Sequence, residues 1–134
     1  MSEENVEIVR QGFADPAPLT SAMRFAPDAE FDFRGVYPDR PVLRGVEEMR
    51  SFRDAGPWGR SIRFEPERYF DVDDECVLVF VRVTSTGQAS GAAVESRIAQ
   101  EFTIRDGLIV RIEVHRDRSE ALQAVGLSQA EGSS

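Results

Sequence analysis

Between Ser61 and Val114, hydrophobic and polar residues alternate with a period of two in four runs: Ile62–Phe70, Cys76–Ser85, Val94–Arg105 and Leu108–Val114. Successive strand side chains face opposite sides, so this period predicts β-strands. Asp73-Asp74, Gly87 to Gly91 and Asp106-Gly107 place turn residues between the runs, which predicts hairpins and an antiparallel meander. Earlier in the chain the period is helical. Val6, Val9 and Phe13 share one face of Ser2–Phe13, with Glu3 and Glu4 at the end where the helix dipole favours acid. Val46, Met49 and Phe52 do the same in Gly45–Ala55, which Gly56-Pro57 stops. A short helix is predicted over Leu19–Phe25, after the break at Asp15-Pro16-Ala17-Pro18, and a strand over Ala29–Phe33. A last helix over Ser119–Val125 has Asp117 ahead of it, Glu120 placed as in a capping box, and Gly126 at its end. The order helix, helix, strand, helix, four strands, helix is an α+β layout in which helices cover one face of a curved sheet.

Composition narrows the chemistry. A chain of 134 residues makes one compact domain, assigned to residues 1–127, with 128–134 as a flexible tail. No stretch approaches the roughly 20 apolar residues of a membrane span, so no membrane association is expected. Twenty-four acidic residues against sixteen basic ones give a net charge of −8, which argues against nucleic acid as a partner. Every basic residue is arginine, which excludes a Schiff-base lysine, a pyridoxal-phosphate attachment point and a phosphate-loop lysine. One histidine (His115) and one cysteine (Cys76) do not make a zinc cluster, and no metal or other cofactor is called for. The lone cysteine and an acidic amino terminus without a signal-peptide core point to a reducing, cytoplasmic setting.

The segments PDAEFDF, VLRGVEEMRSF, EPERYFDVDDECVLVFVRV and FTIRDGLIVRIEVHRDRSEAL, taken in this order, resemble the SnoaL-like branch of the nuclear transport factor 2-like superfamily. The resemblance runs from Asn5 to Leu127. It implies a cone, in which a bent, mostly antiparallel sheet wraps helices and leaves an apolar cavity open at one end, often within a homodimer. The fold alone does not fix a reaction, since cyclases, isomerases, hydrolases and binding domains share it.

By comparison with that family, the cavity wall is expected to carry Phe31 and Phe33, then Leu78, Phe80, Arg82 and Thr84, then Ile98, Gln100, Phe102 and Ile104, then Val110, Ile112 and Val114. Tyr37 and Trp58 are candidates for the cavity mouth, although core or loop packing is the favoured use for Trp58. Arg82 and Gln100 are the polar groups of this wall. Arg82 is either tied into an internal salt bridge, with Asp32 or Glu30 as partner, or anchors a ligand carboxylate. Gln100 either bonds to backbone or donates to a substrate oxygen. The carboxylates that the family's epoxide hydrolases use align with Thr84 and Val114, and the base of its ketosteroid isomerases aligns with Phe33. Neither reaction is expected, and Asp32 is the remaining candidate base.

Strand parity puts His115 on the opposite face, beside Arg111 and Glu113. Val77, Val79, Val81 and Val83 form a second apolar row on the long strand, for which packing against the sheet of a homodimer partner is the expected cover. Two functions stay open. One is an enzyme acting on a small, hydrophobic, oxygenated molecule through Arg82, Gln100 and Asp32; the other is a non-catalytic ligand-binding or accessory domain.

Overall fold

The computed structural model describes residues 2–13, 24–35, 42–55, 63–86 and 93–127. Their elements are α1 (Ser2–Gly12), β1 (Phe25–Asp32), β2 (Leu43–Arg44), α2 (Val46–Ala55), β3 (Arg63–Asp71), β4 (Cys76–Thr86), β5 (Ala93–Arg105), β6 (Leu108–His115) and α3 (Arg118–Val125). The strands form one curved, open six-stranded sheet in the order β2-β1-β6-β5-β4-β3. β3 to β6 are the expected antiparallel meander, while β1 joins β6 in parallel and β2 in antiparallel pairing. Asp106 and Gly107 both have positive φ, 54° and 76°, as the tight turn joining two right-twisted strands demands.

The first strand begins at Phe25, four residues earlier than its alternation suggests, because β1 is irregular between Phe25 and Glu30. Phe25 therefore belongs to a strand rather than to the end of a helix; the rest of the predicted Leu19–Phe25 helix lies outside the described residues, apart from Arg24. At the other end, Asp117 accepts hydrogen bonds from the backbone N–H groups of Ser119 and Glu120, and Gly126 closes α3 at φ 76°. No described helix is long and apolar enough to cross a membrane.

The two faces of the sheet carry separate cores. On the inner face, Val9 of α1, Phe13 just after it and Met49 of α2 pack with Phe31, Val77, Val79, Val81, Phe102, Ile112 and Val114. On the outer face, Ala121 and Leu122 of α3 pack with Phe70, Leu78, Phe80 and Ala99.

This reverses the expected parity of β4. Leu78, Phe80, Arg82 and Thr84 face outward, and the valine row faces the interior. Cross-strand register explains the reversal: Val79 lies opposite Gln100 and Val77 opposite Phe102, and opposed residues share a face. The valine row Val77, Val79 and Val81 is thus part of the chain's own core. Leu108, 39% exposed, is the one large exposed hydrophobic side chain among the described residues. A register shift between Thr103 and Ile104 likewise brings Ile109 into the inner core, at the position expected for Val110.

Candidate functional site

Four inner-face residues stand in one row across the sheet: Tyr69 opposite Val79, Val79 opposite Gln100, and Gln100 opposite Val114. The neighbouring row holds Val77, Phe102, Ile112 and Phe31. Phe13, just past the end of α1, meets Phe102 edge-on, with ring centroids 5.9 Å apart. Gln100 is the next inward position along β5, beyond that cover. Further on, Ile98, Val83 and Phe64 are only half-buried, so the inner face opens towards this end. Phe33 and Phe52, also half-buried, stack at 5.7 Å with their planes 11° apart.

Gln100 is 7% exposed, and its side-chain amide has no hydrogen-bond partner among the described residues. An amide carries two donors and an acceptor, and leaving them unsatisfied in an apolar wall costs about 1–3 kcal/mol. No described backbone group serves as its expected partner, which leaves this amide as a polar group on the apolar side of the sheet. Tyr69 was not foreseen as a site residue. It is 5% exposed, the Arg10 guanidinium lies 4.4 Å from its ring centre, and burial holds its phenol protonated above the ordinary tyrosine range. Its signal in the sequence was its place on β3, which the register of β4 converts into the same face as Gln100.

The other expected polar residues lie on the outer face. Arg82 donates to Glu65 Oε2 at 2.5 Å and stands 3.8 Å from Glu95, so its partners are neighbouring-strand glutamates in place of Asp32 or Glu30. A cation is most cheaply kept where water and carboxylates reach it, and the Arg82 side chain is 37% exposed. Thr84 shares that face, and Phe80 lies beneath α3, 4.8 Å from the Phe70 ring and 4.7 Å from the Arg118 guanidinium.

Asp32 is 3% exposed and accepts from the Arg34 backbone N–H, from Arg34 Nε and Nη2, and from Arg111 Nη2. The Arg34 guanidinium above all holds its carboxyl well below the usual carboxylate range. A carboxylate so tightly held, on the face opposite Gln100, does not supply an inner-face base. His115 faces outward as parity predicts, and Cys76, half-buried, has its thiol pushed up to about 12 by burial and by Glu101 and Asp73. Phe33, Phe102, Ile112 and Val114 are on the inner face as expected; Tyr37 and Trp58 lie outside the described residues.

Comparison with known proteins matches this geometry to a family. A family model described as a SnoaL-like domain matches residues 20–112. Similar solved structures include Bal32a from a soil-derived mobile gene cassette (21% identity, 92% of this chain and 97% of that one, TM-score 0.71). TerC co-crystallised with polyporic acid is 19% identical over 92% and 98% of the two chains, with a TM-score of 0.68. A protein proposed to be a SnoaL-like polyketide cyclase, from Jannaschia sp. CCS1, is 19% identical over 94% of each chain, with a TM-score of 0.67. None of the curated proteins matches the sequence.

Proposed function

Because the chain belongs to the SnoaL-like domain family, we propose that its inner face binds a small, hydrophobic, oxygenated molecule, with Gln100 as the hydrogen-bonding group of an otherwise apolar wall. The observation that carries this reading is the buried Gln100 amide, without a partner among the described residues, which a ligand oxygen would satisfy. Phe33, Phe52, Phe102, Ile112 and Val114 supply apolar and aromatic contact around it. Tyr69 stands two strands away in the same row, about 10 Å by strand spacing, and continues the wall on that side. TerC was co-crystallised with polyporic acid, which favours small oxygenated organic compounds as first probes.

The reading is of binding first. Asp32, Arg82 and His115 all lie on the outer face, so none of these expected acid–base groups stands beside Gln100. The reducing cytoplasmic setting inferred from the lone Cys76 belongs to the same reading.

A thermal-shift screen of uncharged aromatic ketones, quinones without ring hydroxyls and phenols, run on the wild type and on Gln100→Leu, tests it. Ligands that stabilise the wild type and lose at least tenfold in affinity on the variant are expected. Equal affinity for both proteins, or no hit on a well-folded wild type, refutes the role of Gln100.

A further inference from the structure

On the outer face, away from the Tyr69–Gln100 row, three metal-ligating side chains converge. Glu101 and Glu113 stand directly opposite on β5 and β6, and His115 follows Glu113 by two residues, so all three project from the same face. His115 Nε2 is 3.1 Å from Glu101 Oε1 and 3.7 Å from Glu113 Oε2, and the three ligand atoms lie within 4.8 Å of one another. None is a loose surface group: the side chains of His115, Glu101 and Glu113 are 15%, 24% and 37% exposed.

Two glutamates opposed across an antiparallel pair repel each other, and a cation between them removes the cost. With ligand bonds of about 2.0–2.2 Å, donor atoms around a tetrahedral ion stand roughly 3.3–3.6 Å apart. The separations of 3.1 and 3.7 Å from His115 bracket that range, so small side-chain rotations suffice.

The surroundings orient the triad. Arg111 Nη1 takes Glu113 Oε1 at 2.9 Å, which turns Oε2 towards His115. Arg111 is itself held by Asp32 at 2.7 Å and by Glu30 at 3.7 Å. Supporting hydrogen bonds of this kind fix ligating carboxylates in metal sites. Among the described residues Glu30, Asp32 and Glu113 pair with the guanidiniums of Arg34, Arg44 and Arg111, whereas Glu101 pairs with none of these and meets only His115. On the Glu101 side a cleft of about 390 Å³, lined also by Cys76, Thr103 and Val125, gives access from solvent.

We propose that Glu101, Glu113 and His115 form a binding site for one divalent transition-metal ion of the zinc class, with a fourth position open. One imidazole nitrogen with two carboxylate oxygens selects zinc or cobalt over magnesium or calcium, which prefer oxygen alone. Carboxylates supply two of the three ligands, so a single histidine and a single cysteine in the chain do not exclude such a site. The site is independent of the inner-face reading, which stands or falls on Gln100.

A chain with a single histidine permits a direct test. The imidazole carbon–proton resonances of His115 in the untagged wild type are followed by NMR during titration with zinc chloride, and binding is measured by equilibrium dialysis. A saturable shift of the imidazole signals ending at one equivalent is expected, with cobalt giving the intense visible bands of a tetrahedral site and magnesium giving no shift. Glu101→Gln, checked for an unchanged melting curve, is expected to weaken zinc binding at least about tenfold. Imidazole signals that do not move with zinc, or zinc affinity unaltered by Glu101→Gln, overturn the site.

Discussion

Arg111 Nη2 lies 2.7 Å from Asp32 Oδ2, tying the last strand of the sheet to the first across a parallel pair. Asp32 also takes three hydrogen bonds from Arg34, so both oxygens of a nearly buried carboxylate are committed to cations. Asp32→Asn leaves Arg111 and Arg34 facing an amide, and a loss of about 3 kcal/mol in stability is expected by chemical denaturation. The pH dependence has a definite sign. The folded-state pKa lies well below the unfolded value of about 3.9, so this stabilisation is complete above the unfolded value, declines as pH falls below it, and is gone only once pH has fallen through the folded-state value. Wild type and Asp32→Asn should therefore converge in stability as the medium is acidified below about pH 4.

Gly35 follows this cluster, and a methyl group placed on it would run into the backbone carbonyl oxygen of Val114. Backbone does not yield as a flexible side chain does. Gly35→Ala is expected to cost about 1–3 kcal/mol, read as a lowered melting temperature, with the far-ultraviolet spectrum of the folded protein unchanged.

Gln100→Leu should separate stability from binding. Replacing a buried amide that lacks a partner by an apolar side chain of similar size removes a desolvation cost, so the variant should melt at the wild-type temperature or above it. A clear loss of stability would mean that the amide is satisfied within the fold.

Arg118 fastens α3 to the sheet. It donates to the carbonyls of Ile98 and Val81 at 3.1 Å and to Glu67 at 2.6 Å, and stacks over Phe80. Arg118→Ala is expected to raise amide hydrogen exchange in α3 and across the Phe70–Phe80 cluster, while α1 keeps its protection. Asp117→Ala, which removes only the cap, should cost about 1 kcal/mol and affect the first turn of α3.

The elements were largely legible because their signals are local. Val6, Val9 and Phe13 mark α1, and Asp106-Gly107 marks the last hairpin, whatever surrounds them. Face assignment on β4 was not legible in the same way. Val77, Val79 and Val81 alternate with Leu78 and Phe80, both sets buried, so the alternation carries no sign. Arg82 held the missing information, since a charge is cheaper outside, and its parity is that of Leu78 and Phe80. The short β2 and the early start of β1 depend on pairing between distant segments, and Pro27 within β1 argued locally against a strand. Gln100 and Phe102 were placed correctly because β5 has one polar and one apolar face.

The parallel pairing of β1 with β6 also sets an order of events. β1 lies between β2 and β6 in the sheet, yet Phe31 and its partner Ile112 are separated by most of the chain. During synthesis from the amino terminus, the meander from β3 to β5 can zip up while β1 still lacks its long partner. Only when the final strand emerges does β1 gain its place, so the inner core closes late and all at once. A chain cut before β6 would lose the last strand and with it the anchorage of the first.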